Sequence, residues 1–291
     1  MTLSADAPLG IVAVHGVGHY DRHRTAEVVR AAYSVDWAGH LAAGLGVAPD
    51  RLDLAFAYYA PQLHPGPTAH GSDPEELDDP LAKELMKEWL DALAAPAPVS
   101  HGALTLPLRY AASWVAEKFS LDGRLTQLFI RMFVREVAAY LRGDSDPARL
   151  AAREEVASQI AQHRPRVVIA HSLGTVVSYE ALHAHPELQV ELLLTLGSPL
   201  ALPRAVFERL LPRPADGPNG RLGARPASVK RWVNVADPGD PVAIPPHLAC
   251  AFQGIALDLT DTVQAGFGFH HAKNYLSCAA VAASLGPYLG L

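Results

Sequence analysis

Arg166-Val167-Val168-Ile169-Ala170-His171-Ser172-Leu173-Gly174-Thr175-Val176-Val177 decides the fold of this 291-residue chain. The apolar, mostly β-branched run after Pro165 has the character of a short strand buried on both faces. From Thr175 to His185 apolar groups recur at helical spacing. A strand that becomes a helix within three residues strains the residue at the bend, here Ser172. The residues two before and two after it must be small, because strand and helix nearly touch. Ala170 and Gly174 meet that demand. The pattern is G-x-S-x-G with Ala in place of the first Gly. It lifts the Ser172 hydroxyl to the carboxyl edge of a sheet and aims the N-terminus of the next helix at it. The competing reading is an ordinary strand-to-helix turn in which Ser172 caps the helix.

Upstream, Leu9 to Val14 is a second buried-strand pattern and ends in His15-Gly16-Val17-Gly18-His19. The glycine spacing fits neither a dinucleotide-binding turn nor a P-loop. A His-Gly pair after the first core strand does fit the loop that shares an oxyanion hole with the residue after the nucleophile. The donors would be Val17 and Leu173, with Gly16 as the alternative to Val17. His15, His19, His23, His183 and His185 lack metal-ligand spacing and read as solvated or loop-capping, so no metal is expected.

Thr25 to Ala43 reads as a helix stopped by Gly44-Leu45-Gly46, and Leu52 to Ala60 as a strand. Pro61 to Asp79 reads as a loop. Helical patterns follow at Leu81 to Ala94, Leu108 to Phe119 and Leu125 to Leu141, separated by Pro96 and Pro98 and then by Asp122-Gly123. Pro147 opens a further helix to His163. One crossover helix would suffice between the two strands, so roughly 60 to 80 residues are surplus. The expected organisation is a core of residues 1–60 and 147–291 with a helical cap at 61–146. Trp114, Phe119, Phe129 and Phe133, with Trp89 and Met132, could line an apolar pocket beneath that cap, or could simply hold its helices together. A detachable cap would let deletion of residues 81–119 change substrate range more than folding.

Downstream, Val190 to Leu196 is a buried strand followed by Gly197-Ser198-Pro199. Residues 200–227 form a Pro/Arg/Gly-rich excursion. Strands are expected at Arg231 to Ala236 and Gly254 to Leu259, and a closing helix at Ala272 to Leu285. A serine hydroxyl needs an imidazole to take its proton, and that imidazole needs a carboxylate to fix its tautomer. Asp237 and Asp240 both follow a late strand. Asp240, one turn further on, is preferred and Asp237 is the alternative. His270 and His271 both follow the last strand. His271, nearer the helix start, suits a cap, which favours His270 as the base.

The net charge is −6 with both signs interspersed, which argues against nucleic acid as the main partner. The basic stretch Arg204 to Arg231 reads as a solvated loop. Cys250 and Cys278 read as two buried thiols in a reducing compartment. No signal peptide and no 18-residue apolar run is evident, so a soluble cytoplasmic protein is expected.

Ala170-His171-Ser172-Leu173-Gly174, His15-Gly16, Leu196-Gly197-Ser198-Pro199 and Asp237-Pro238-Gly239-Asp240-Pro241-Val242 together resemble the α/β-hydrolase superfamily, in particular lipase- and esterase-like members with an A-H-S-L-G elbow. The resemblance covers the chain apart from about 61–146 and 200–227. It implies a mostly parallel central sheet flanked by helices, with Ser172 as nucleophile, Asp240 as acid and His270 as base. Val17 and Leu173 would then be the oxyanion donors. It implies cleavage of a small carboxylic ester through an acyl-enzyme, without a cofactor. Thioesterase or acyltransferase action on a secondary metabolite is the alternative, followed by a peptidase or a non-catalytic binding module, since the fold does not fix the substrate.

Overall fold

The computed structural model describes residues 7–64, 79–95, 108–119, 122–217, 220–263 and 270–291. Strands β1 (Leu9–Val14), β2 (Leu52–Ala57), β3 (Val167–His171), β4 (Val190–Leu196), β7 (Val229–Ala236) and β9 (Ile255–Thr260) form a six-stranded sheet in the order β2-β1-β3-β4-β7-β9. Every neighbouring pair in it is parallel. Helices α1 (Ala26–Leu45), α2 (Pro80–Ala92), α3 (Leu108–Phe119), α4 (Gly123–Leu141), α5 (Pro147–His163), α6 (Leu173–Ala184), α7 (Ala272–Leu276) and α8 (Ala279–Leu289) complete the α/β architecture. None of the described helices is long and apolar enough to cross a membrane.

The period-two pleat divides the strand side chains between two apolar layers. Leu9, Ile11, Val167, Ile169, Leu192 and Leu194 face α1, α7 and α8, where they meet Trp37, Leu41, Val281 and Leu285. Val12, Val14, Val168 and Leu193 face the opposite layer with α2, α4, α5 and α6. Such strands have no polar face, which is why they read as continuous apolar runs. Helix starts follow local chemistry. The Thr25 side chain accepts from Val28 N, and Asp146 accepts from Ala148 N with Pro147 in the first turn.

Residues 80–92 and 123–141 are not a separate layer. Leu85, Met86, Trp89 and Leu90 of α2 and Val134 and Val137 of α4 share one cluster with Val12, Val168, Leu173 and Val176. Trp89 Nε1 also donates to Pro241 O at 2.7 Å, tying α2 to the turn after β7. α3 packs on α4. The expected Pro96/Pro98 break, most of the loop at 61–79 and the glycine-containing stretch 264–269 lie outside the described residues.

Four expectations are corrected. The closing helix is two helices, broken at Ser277-Cys278. α1 crosses there so closely that a Cβ on Gly44 would stand 2.7 Å from Ser277 Cα. The basic stretch Arg204 to Arg231, with the excursion that carries it, is no solvated loop. Leu200, Leu202, Val206, Phe207 and Leu210 are buried, and β5 (Ala215–Gly217), β6 (Gly220–Ala224) and β8 (Phe252–Gln253) form a small second sheet. Arginines ahead of that sheet reach acids elsewhere: Arg209 pairs with Glu84 and Arg213 with Asp144, each at 2.7 Å. Both cysteines are free thiols, Cys250 exposed and Cys278 half-buried. His15, finally, is not solvated but fully buried, stacked on Tyr59 with ring centroids 4.1 Å apart.

Candidate active site

Ser172 stands where β3 meets α6, with φ 54° and ψ −130°, a conformation that costs a residue with a Cβ of order 1–3 kcal/mol. It occupies the N-cap position, yet its side chain makes no capping hydrogen bond. The hydroxyl turns instead towards the sheet edge. Close packing enforces the bend. A Cβ on Gly174 would lie 2.3 Å from His15 O and 2.7 Å from Val14 O, so α6 passes directly over the end of β1. The crossing that demands a small residue at 174 is therefore with the neighbouring strand rather than with β3.

His270 Nε2 lies 2.6 Å from Ser172 Oγ, and His270 Nδ1 lies 2.7 Å from Asp240 Oδ2. A carboxylate only accepts, so the Nδ1 proton points at Asp240 and Nε2 is left to receive the serine proton. All three residues are buried. Val242 N donates to Asp240 Oδ1 at 2.9 Å, and Tyr275 OH donates to Oδ2 at 2.7 Å. His270 itself has φ 55°, so both ends of the Ser–His contact rest on left-handed backbone.

The two alternatives fall elsewhere. Asp237 is occupied by main-chain donors, Gly239 N at 2.7 Å and Val263 N at 2.8 Å, and so braces the turn and the chain leaving β9. His271 is the exposed N-cap residue of α7, again without a side-chain capping bond.

Gly16 lies against Ser172: a Cβ there would be 2.6 Å from Ser172 Cβ and 3.1 Å from Oγ. Leu173 is the first residue of α6, where main-chain N–H groups have no partner within the helix. Val17 is half-buried beside the α4 layer. The loop carrying Gly16 and Val17 is held from two sides. Tyr59 OH donates to His15 O at 2.9 Å, and Glu136 of α4 accepts from Gly18 N at 3.0 Å.

Of the aromatic candidates, Phe129 meets His270 edge-on with centroids 5.4 Å apart and stacks on Phe133 at 5.8 Å. Phe133 is buried and tilts against Trp89 at 6.0 Å. Met132 approaches the loop at Gly18, within 3.3 Å of where a Cβ would be. Trp114 and Phe119 instead flank the Lys118 ammonium on α3.

Two buried histidines lie near Ser172 and His270. His171, between the His270 and Tyr275 rings, has no hydrogen-bond partner on either nitrogen, and burial pushes it well below the usual imidazole range. Burial does the same to His15, with the neighbouring His19 adding to it. Both rings are thus neutral at pH 7. Among the described residues no group of three or more His, Cys, Asp or Glu side chains is placed to hold a metal.

Three further positions have a part in this geometry. Tyr275 and Glu136 contact partners 35 and 118 residues away. Gly197, at φ +53°, lies beneath the acid–base pair, where a Cβ would be 2.9 Å from Asp240 Oδ2 and 3.2 Å from His270 Cε1. Only the glycine after β4 was a visible signal. No protein-family model, curated protein or solved structure matches the chain.

Proposed function

We propose that this protein is a serine hydrolase of the α/β-hydrolase type that cleaves a carboxylic ester through an acyl-enzyme. The observation that carries the reading is the uninterrupted line from Ser172 Oγ through His270 to Asp240, with contacts of 2.6 and 2.7 Å. A parallel sheet with helices on both faces is compatible with that family. Ser172 Oγ attacks the substrate carbonyl while His270 Nε2 takes its proton, and Asp240 stabilises the resulting imidazolium. The oxyanion is met by the Leu173 N–H at the α6 N-terminus and by main chain of the 16–17 loop. As the tetrahedral adduct collapses, the imidazolium protonates the leaving alcohol. Water, activated by the same imidazole, then releases the acid and restores the serine. In this reading the helices between 80 and 141 cover an acyl pocket with Phe129 at its inner end.

Burial of Ser172 and His270 favours one second reading, in which restricted water lets an alcohol, amine or thiol take the acyl group. A chain-length series of p-nitrophenyl esters, with and without an added alcohol acceptor, tests both. Hydrolysis lost in Ser172→Ala supports the ester reading, and transesterified product exceeding free acid supports transfer. Turnover unchanged in Ser172→Ala refutes both.

A further inference from the structure

Tyr275 is fully buried and its hydroxyl has two polar neighbours, Asp237 N at 3.0 Å and Asp240 Oδ2 at 2.7 Å. A main-chain N–H can only donate, so it takes a lone pair of the phenol oxygen. The phenol proton is left with one destination, the Asp240 carboxylate. That oxygen, Oδ2, is the one that also accepts from His270 Nδ1. Burial and the adjacent Asp240 charge both keep the phenol protonated. Tyr275 is thus a fixed donor competing with the imidazole for the same carboxylate oxygen.

We propose that Tyr275 is a positioning residue for the acid–base pair, holding Asp240 in line and withdrawing part of the carboxylate charge that would otherwise support a protonated His270. The inference rests on the triad reading above. A weaker carboxylate leaves the imidazole free base to a lower pH, which widens the range over which Nε2 can take the serine proton. Among the described residues the other titratable groups facing the pair are few. They are His171 on β3, with centroids 4.7 Å from His270, its exposed neighbour His271, Ser172 itself, and Asp237 behind the Tyr275 hydroxyl.

The test is the pH dependence of labelling by a fluorophosphonate probe, which reports nucleophile reactivity without a known substrate. Tyr275→Phe keeps the ring and removes the donor. A hydrogen bond to a charged group, transmitted in part to the imidazolium, should raise the midpoint of the acid limb by about half a pH unit or more. One unit below the wild-type midpoint, the variant would then label about threefold more slowly. Incorporating 3-fluorotyrosine at position 275 keeps the packing and strengthens the donor, so it should move the midpoint the opposite way. It also serves if Tyr275→Phe is insoluble. A merely structural role would change the plateau rate and leave both midpoints in place. Labelled wild type with midpoints that stay put in the fluorotyrosine protein, or in Tyr275→Phe, overturns this inference alone. A wild type that never labels at Ser172 overturns the triad reading and this inference with it.

Discussion

Gly197→Ala is the substitution whose outcome the geometry constrains most tightly. At φ +53° a residue with a Cβ is strained by roughly 1–2 kcal/mol. The added methyl would also stand 2.9 Å from Asp240 Oδ2, 3.0 Å from Tyr275 Cε2 and 3.2 Å from His270 Cε1. Each neighbour must retreat by up to about half an ångström to reach ordinary contact, and none is the loose end of a flexible chain. Overpacking of this kind costs about 1–3 kcal/mol. Together the two terms predict a loss of about 2–5 kcal/mol in urea unfolding. Because the retreat occurs at the acid–base pair, fluorophosphonate labelling of Ser172 should slow ten- to a hundredfold, by the order that small misplacements cost. Gly39→Ala is the control. It lies inside α1 with nothing within 4 Å of its Cβ, and should stabilise by roughly 0.5–1 kcal/mol. If Gly197→Ala unfolds at the wild-type urea midpoint and labels at the wild-type rate, the close approach of β4 to the pair is wrong.

Breaking the buried Glu180 cluster, where Arg149, Tyr140 OH and Leu211 N converge on one carboxylate, should be costly. Glu180→Gln leaves Arg149 charged and 1% exposed, and should lower unfolding free energy by about 3–5 kcal/mol in calorimetry or urea titration. Stability should also depend on pH through His15 and His171. Their folded values lie well below the ordinary 6.5, so the unfolded chain binds more protons as pH falls. The stability present above about pH 6.5 is then lost at up to about 1.4 kcal/mol per pH unit for each ring. Urea midpoints between pH 7 and 5 check this, and His171→Asn should make the slope shallower. Deleting residues 81–119 should abolish soluble protein rather than shift substrate range, because it exposes the faces that Leu85, Met86, Trp89 and Leu90 cover. A soluble, active deletion variant would restore the detachable cap.

The middle of the sheet was legible because β1, β3 and β4 are buried on both faces. Leu9–Val14 is free of polar side chains and Val190–Leu196 is apolar apart from Glu191 and Thr195; both have abrupt polar or glycine ends, and the structure begins and ends them at the same residues. α3 and α5 likewise keep their expected bounds, α5 because Asp146-Pro147 announces its start. The elbow was visible as strand, Ser and helix with small flanking residues, although α6 begins two residues earlier than its apolar spacing suggests. Other features depend on distant partners. α1 passes closest where the chain breaks at Ser277-Cys278, while apolar spacing runs straight across the break. β5, β6 and β8 are too short and glycine-rich to show alternation. Asp237 and Asp240 sit three residues apart in one turn, and it is the folded chain that brings His270 and Tyr275 to Asp240 while Gly239 N and Val263 N meet Asp237. Among the aromatics, sequence spacing could not distinguish Phe129, on the imidazole, from Trp114 and Phe119, beside Lys118.

The most direct measurement is peptide mapping by mass spectrometry after reaction with a fluorophosphonate, on wild type, Ser172→Ala, His270→Ala and Asp240→Asn. A single phosphonyl adduct on Ser172 in the wild type is predicted. It should be absent in Ser172→Ala and formed orders of magnitude more slowly in the other two, with all four proteins folded. An adduct on another serine, or Ser172 labelling at an undiminished rate without the His270 imidazole, would contradict a nucleophile activated along this line.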